Sequence, residues 1–201
     1  MKTLTFLVAL VIIVAISFAC FFALREYRRY RRIAKTLPDP QLIQQTAPSE
    51  IDARRDQLAD DLLKERAALP EAEADATREA LWTAMLLEAA ADGSIDDREL
   101  AFVADLFGRM TGIALEAEPV SEAAQRISKD RKAALVTISQ ARNTSAASKE
   151  QILAGAFLVS VADHTLAERE ADCLGDIADA LAVTPRDRQT ILEGITKRLG
   201  I

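Results

Sequence analysis

Two acidic segments, 71 residues apart, carry the side chains of this chain that could bind a ligand or do chemistry. Residues 91–95 read ADGSI and residues 162–166 read ADHTL, and each segment is followed at the same offset by Arg-Glu. Each follows an apolar pattern of helical period and precedes a second one, so both are predicted to be joints between two helices. The repeat indicates an internally duplicated domain with an acidic candidate site.

The carboxylates at the two joints are the candidate metal ligands. Asp92 and Glu99 belong to the first joint, and Asp163 and Glu170 belong to the second. If the duplicated halves pack around a pseudo-twofold axis, all four face one crevice, where their repulsion would favour a hard cation such as Ca²⁺ or Mg²⁺. Alternatively, the aspartates are turn residues and Glu99 pairs with a neighbouring arginine. Turn aspartates at helix starts are common, which favours the alternative, but the residues alone leave both interpretations open.

Other familiar site types lack essential residues. Asp92 could begin an EF-hand loop, but the sixth position is Asp97 instead of glycine and the twelfth is Val103 instead of glutamate. His164 is the only histidine, so a zinc site built from His and Cys has too few ligands. The sequence has no phosphate-binding loop and no nucleophile elbow, so it predicts no catalytic residue and no organic cofactor.

Residues 1–35 are predicted to be a transmembrane anchor with a basic cytoplasmic flank. Residues 4–24 contain no charged side chain, and a helix of these 21 residues would span about 30 Å, the thickness of a bilayer hydrocarbon core. This run is too long for a typical cleaved signal peptide. By the positive-inside rule, the chain crosses the bacterial inner membrane once, with its carboxyl-terminal part in the cytoplasm. The basic residues that set this orientation are Arg25, Arg28, Arg29, Arg31, Arg32 and Lys35.

Proline content, charge and periodicity divide the rest of the chain. Residues 36–48 carry three prolines and are predicted to be a linker, and residues 49–70 are predicted to be a charged helical stalk. Residues 71–201 are predicted to be an all-α domain, because apolar residues recur with helical period and no stretch alternates convincingly like a strand. From residue 36 onward there are 18 basic and 30 acidic residues, a net charge of −12, which argues against nucleic acid as a partner.

Residues from about 75 to 200 resemble the TerB-like domains, which are named for tellurite-resistance proteins. The two joints carry the resemblance, together with Glu99 and Glu170. It implies a compact bundle of about seven helices with duplicated halves, metal binding through acidic residues, and a link to envelope or toxic-oxyanion stress. The second joint departs from the family pattern, because His164 stands where members usually carry glycine.

Two classes of function follow from these observations. The first, which we favour, is a membrane-anchored, non-enzymatic binding or scaffold module that presents the domain to a protein partner, with a divalent cation as its expected cofactor. The second is a hydrolase or transferase that uses a carboxylate-bound metal. An enzyme needs an open concave pocket lined by several acids, whereas a binding module needs an exposed apolar patch or groove.

Overall fold

The computed structural model describes residues 43, 46–67, 69–93, 95, 97–115, 117–164 and 166–201. In these residues the chain forms eight α-helices and one short 3-10 helix, with no strand, so the all-α prediction is confirmed. Seven of the helices, α2 to α8, lie between residues 71 and 201. The helices are α1 (Pro48–Arg66), α2 (Glu71–Ala89), α3 (Asp97–Thr111), α4 (Ala117–Lys129), α5 (Arg131–Ser139), α6 (Ala146–Ser160), α7 (Glu168–Ala180) and α8 (Pro185–Leu199).

The predicted membrane anchor, residues 4–24, lies outside the described residues, as does most of the predicted linker. In the part of the chain that the structure describes, no helix combines the length and the apolar character needed to cross a bilayer. The anchor therefore stays a prediction from the sequence.

The bundle is built around α2 and α6, which pack against each other along their length and bury residues on most of their surface. Leu81 and Met85 of α2 and Phe157 of α6 are all fully buried. Gly155 of α6 faces α2 so closely that a Cβ atom there would lie 2.3 Å from Cδ1 of Leu81 and 3.4 Å from Cγ of Met85. The missing side chain at Gly155 thus lets the two central helices approach each other.

Gly155→Ala is expected to lower the free energy of unfolding by about 1 to 3 kcal/mol, because the added methyl group must displace buried Leu81. Gly194→Ala in α8 is the matched control. A Cβ atom at Gly194 would meet nothing within 4 Å, so its better helix propensity should raise stability by about 0.5 to 1 kcal/mol. Urea denaturation measures both effects, and equal stabilisation by the two substitutions would contradict the close approach of α2 and α6.

The predicted charged stalk, residues 49–70, is a packed helix of the bundle over most of its length. This helix, α1, packs against α3, α6 and α8. Nε2 of the buried Gln151 side chain in α6 donates a hydrogen bond to the carbonyl oxygen of Leu62 in α1 at 3.0 Å. The stalk prediction is therefore corrected: the charged side chains of α1 are exposed or partly exposed, and the helix buries Ile51, Leu58, Ala59 and Leu62 against the bundle.

Candidate functional site

The two joints turn the chain in the same way after α2 and α6. In the first joint, the N–H of Gly93 donates to the carbonyl oxygen of Ala90 at 3.0 Å, and Gly93 has a φ of 109°. In the second, the N–H of His164 donates to the carbonyl oxygen of Val161 at 3.1 Å, and His164 has a φ of 63°. The left-handed backbone is thus kept at the equivalent position although glycine is replaced by histidine. The aspartate that precedes this position is exposed in both joints.

The second joint is also in contact with α1. Nε2 of His164 lies 3.4 Å from Oδ1 of Asp52. The same oxygen forms an ion pair with Nη1 of Arg55 at 2.9 Å. The guanidinium of Arg55 in turn lies over the ring of Phe102 in α3, 4.7 Å from the ring centroid. Helix α1 therefore braces both duplicated halves next to the acidic residues.

One cavity of about 420 Å³ lies where the two joints meet and is lined by residues of both. All four candidate metal ligands are on its walls: Asp92, Glu99, Asp163 and Glu170. The other described lining residues are apolar or basic, apart from one further glutamate, and comprise Ala89, Arg98, Phe102, Val103, Val159, Ala162, Ala167 and Arg169. The structure thus brings the four predicted carboxylates to one place, while their role as metal ligands stays a prediction.

The further glutamate is Glu88, which the sequence reasoning missed. It lines the cavity four residues before Asp92 and is only 2% exposed. Neither of its carboxyl oxygens has a hydrogen-bond partner of ordinary geometry among the described residues. Burial raises the pKa of Glu88 well above its usual range, and the nearby thiol of Cys173, which donates to the carbonyl oxygen of Leu87 at 3.5 Å, opposes this only in part. The sequence signal was a glutamate inside an apolar stripe, at the position equivalent to Val159 in the second half.

The carboxyl of Glu170 connects the cavity to the start of α7. Its Oε2 accepts a hydrogen bond from the N–H of Ala167 at 2.5 Å, which satisfies a donor at the helix terminus. Partial burial raises the pKa of Glu170 to about 7; the hydrogen bond from Ala167 opposes this shift, and the negative charges of Asp163, Asp92 and Glu99 add to it. The repulsion on which the metal hypothesis depends is therefore present in the cavity.

The variant Glu170→Gln is expected to lose less stability than the wild type as the pH rises. The pKa of Glu170 in the folded protein, about 7, lies above the ordinary value of 4.5. Its stabilising contribution is therefore fully present below pH 4.5 and is lost as the pH rises through 7. Because the side chain is partly exposed, solvent screens its charge, and the expected change in the free energy of unfolding is about 1 to 2 kcal/mol. Urea unfolding at pH 5 and pH 8 without divalent ions measures it, and an unchanged pH dependence in the variant would contradict the assignment.

The carboxylates line the cavity without converging on one point. In the described residues, no group of three or more His, Cys, Asp or Glu side chains is arranged to hold a metal ion. Two positively charged side chains, Arg98 and Arg169, also line the cavity. Nη1 of Arg169 donates a hydrogen bond to the carbonyl oxygen of Asp92 at 3.0 Å. A bound divalent ion would therefore have to draw carboxylates inward from the walls.

A second, more open groove of about 470 Å³ lies between the start of α2 and the end of α3. Trp82 and Phe107 meet edge to face on its wall, with ring centroids 5.1 Å apart and an interplanar angle of 63°. Ile113, which is 36% exposed, also lines the groove. Trp82 thus lies on the wall of a partly open groove.

A family model described as tellurite resistance protein TerB matches residues 78–193. The match covers more than half of the 201-residue chain and includes both joints and all five carboxyls of the cavity. The chain belongs to the TerB family. No curated protein and no solved structure gives a significant match. Helix α1 lies before the matched residues, so this TerB-family chain adds to the matched segment a packed helix that contacts the second joint.

Proposed function

We propose that this TerB-family chain is a non-enzymatic binding module whose acidic cavity takes up a divalent cation, Ca²⁺ or Mg²⁺. The observation that carries the proposal is that carboxyls from both duplicated halves line one cavity. Both ions prefer oxygen ligands, and Ca²⁺ accepts about six to eight of them in flexible geometry. A cation between the joints would relieve the carboxylate repulsion that contributes to the raised pKa of Glu170.

Thermal unfolding of the full chain in mild detergent, with and without CaCl₂ or MgCl₂, tests the proposal. A cation at about 100 times its dissociation constant should add about 2.7 kcal/mol of stability, or roughly 5 to 11 °C for a domain of this size. The double variant Asp92→Asn/Asp163→Asn should lose this shift. The control Asp60→Asn/Asp105→Asn removes two exposed carboxylates outside the cavity and should keep it. A shift that survives in the cavity variant would refute the proposal.

The second candidate function is a hydrolase or transferase that uses a carboxylate-bound metal. The specific observation in its favour is the concave shape of the acid-lined cavity. The described lining residues include no Ser, Thr, Cys, His, Lys or Tyr, and in such an enzyme a metal-activated water would supply the nucleophile. Turnover of phosphate or carboxylic esters with Mn²⁺ or Mg²⁺, lost in Asp92→Asn/Asp163→Asn, would favour this candidate over the binding module.

The proposal includes attachment of the module to the cytoplasmic face of the bacterial inner membrane through residues 4–24. Its support is the uncharged run and the basic residues that follow it. Alkaline carbonate should leave the full chain in the membrane pellet and release a chain that lacks residues 1–35. Release of both chains would contradict the anchor.

The proposal also includes a protein partner and a role in envelope or tellurite stress. Support for the stress role comes from the description of the matched family, and the partly open groove at Trp82 is compatible with a protein partner. Cells that lack the protein should be more sensitive to tellurite, and the full chain should restore growth. Restoration by Asp92→Asn/Asp163→Asn would separate this role from the acidic cavity.

A further inference from the structure

The five carboxyls of the cavity differ in burial, and we call the exposed ones the rim and the most buried one the floor. Asp92, Glu99 and Asp163 are exposed, Glu170 is half-buried, and Glu88 is 2% exposed. The rim carboxylates are in contact with water, which solvates their charge. The carboxyl of Glu88 has neither solvent nor a hydrogen-bond partner of ordinary geometry in the described part of the chain. A carboxyl buried without a hydrogen bond of ordinary geometry is costly, and a ligand that reaches it would remove that cost.

The interior of the cavity has the size and the walls of an organic-ligand site. Its volume of about 420 Å³ far exceeds the roughly 30 Å³ of one water molecule and falls within the range of about 300 to 1,000 Å³ usual for small-molecule pockets. The lining residues also include the apolar side chains of Phe102, Val103 and Val159. Val159 is the residue equivalent to Glu88 in the second half, so the duplicated floor is acidic on one side and apolar on the other.

We propose that this cavity binds a primary alkylammonium group, with the ammonium at Glu88 and the alkyl stem against Phe102, Val103 and Val159. The inference rests on one part of the proposed function, that this cavity binds a cation, and it names an organic class of cation. An ammonium has three hydrogen-bond donors and can satisfy both oxygens of Glu88 without other ligands. A divalent ion needs several carboxylates around one point, an arrangement that the described residues do not form as they stand.

The charge of the cavity selects for a cation. Its described walls carry five carboxyls and only two arginines, Arg98 and Arg169. The exposed rim would attract an ammonium group from solution, and the apolar walls would hold a stem of several methylene groups, each contributing about 0.8 kcal/mol when buried. A lysine side chain of a partner protein and a free polyamine both offer this chemistry.

Isothermal titration calorimetry of n-pentylammonium chloride into the full chain, in mild detergent with EDTA, tests the inference. We expect binding of the amine and none of 1-pentanol, which has the same stem without the charge. Glu88→Gln should weaken the amine by at least about 30-fold, the loss expected when a buried charge loses its partner. Glu122→Gln, which removes an exposed carboxylate outside the cavity, should bind like the wild type.

Equal binding of 1-pentanol, unchanged binding by Glu88→Gln, or no binding of the amine would each overturn the inference. A CaCl₂ titration of the same chain, after dialysis to remove the EDTA, separates the two proposals. Binding of Ca²⁺ without the amine would refute the alkylammonium site and leave the proposed function standing, and binding of neither would refute both. Given amine binding, tighter binding of Nα-acetyl-lysine methylamide than of spermidine would identify a protein side chain as the source, and the reverse would identify a free polyamine.

Discussion

A fragment that begins at residue 70 is expected not to fold cooperatively, although it contains every residue of the TerB match at 78–193. The reason is the packing of α1, which buries Ile51, Leu58 and Leu62 against the bundle. Each such side chain contributes about 1.5 to 3 kcal/mol when buried, so their loss is comparable with the total stability of about 5 to 15 kcal/mol of a typical domain. The buried amide of Gln151 would also lose its acceptor, the Leu62 carbonyl oxygen.

Circular dichroism melts of residues 36–201 and of residues 70–201 measure this effect. Residues Thr36–Ile201 form one compact unit and should melt cooperatively. Within that unit, Leu62→Ala should lower the free energy of unfolding by about 2 to 5 kcal/mol, whereas Lys64→Ala on the exposed face of α1 should change it by less than about 0.5 kcal/mol. A cooperative melt of the shorter fragment at the same temperature would refute the role of α1.

Replacing Glu88 with methionine is expected to raise the free energy of unfolding by about 2 to 4 kcal/mol at pH 8, in the absence of ligands. The two side chains have similar length. The substitution exchanges a buried carboxyl, which has no hydrogen-bond partner of ordinary geometry among the described residues, for an apolar group. The gain should shrink as the pH falls. Because the pKa of Glu88 is raised, its contribution to stability is fully present below the ordinary pKa of a glutamate and is lost as the pH rises through the raised value.

Urea denaturation of the wild type and of Glu88→Met measures the difference in the free energy of unfolding at pH 8 and at pH 5. Glu122→Met, at an exposed position, is the control and should change stability by less than about 0.5 kcal/mol. Destabilisation by Glu88→Met at pH 8 would mean that the carboxyl has a structural partner, and it would remove the argument for a ligand at the floor of the cavity. Stabilisation with loss of amine binding would show that Glu88 is kept at a cost to stability for the sake of binding.

The acidic joints could be predicted from the sequence because their information is local. A turn follows each apolar helix, the spacing of 71 residues repeats the carboxylates, and a shared cavity follows once equivalent halves pack together. The exchange of glycine for His164 did not change the turn, since a single residue other than glycine tolerates the left-handed region at a cost of about 1 to 2 kcal/mol.

The burial of Glu88 and the packing of α1 were missed because both depend on contacts distant in sequence. Helix α2 buries residues on most sides, so its periodicity does not show which of them faces the second joint. In α1, charged residues outnumber the apolar ones, and the surfaces of α3, α6 and α8 that bury Ile51 and Leu58 come from later parts of the chain. The local pattern therefore identified the exposed carboxyls of the cavity and the helix α1, but neither the buried Glu88 nor the packing of α1 against the bundle.

Anomalous diffraction at the manganese edge, from crystals of residues 36–201 grown with MnCl₂, tests the shared cation site most directly. Mn²⁺ prefers the same oxygen ligands as Mg²⁺ and Ca²⁺. The expected result is one anomalous peak in the cavity, about 2.1 to 2.6 Å from carboxylate oxygens of both joints, with at least one ligand from Asp92 or Glu99 and one from Asp163 or Glu170. A cavity without a peak, or a peak held by one joint alone, would contradict a site built from the two duplicated halves.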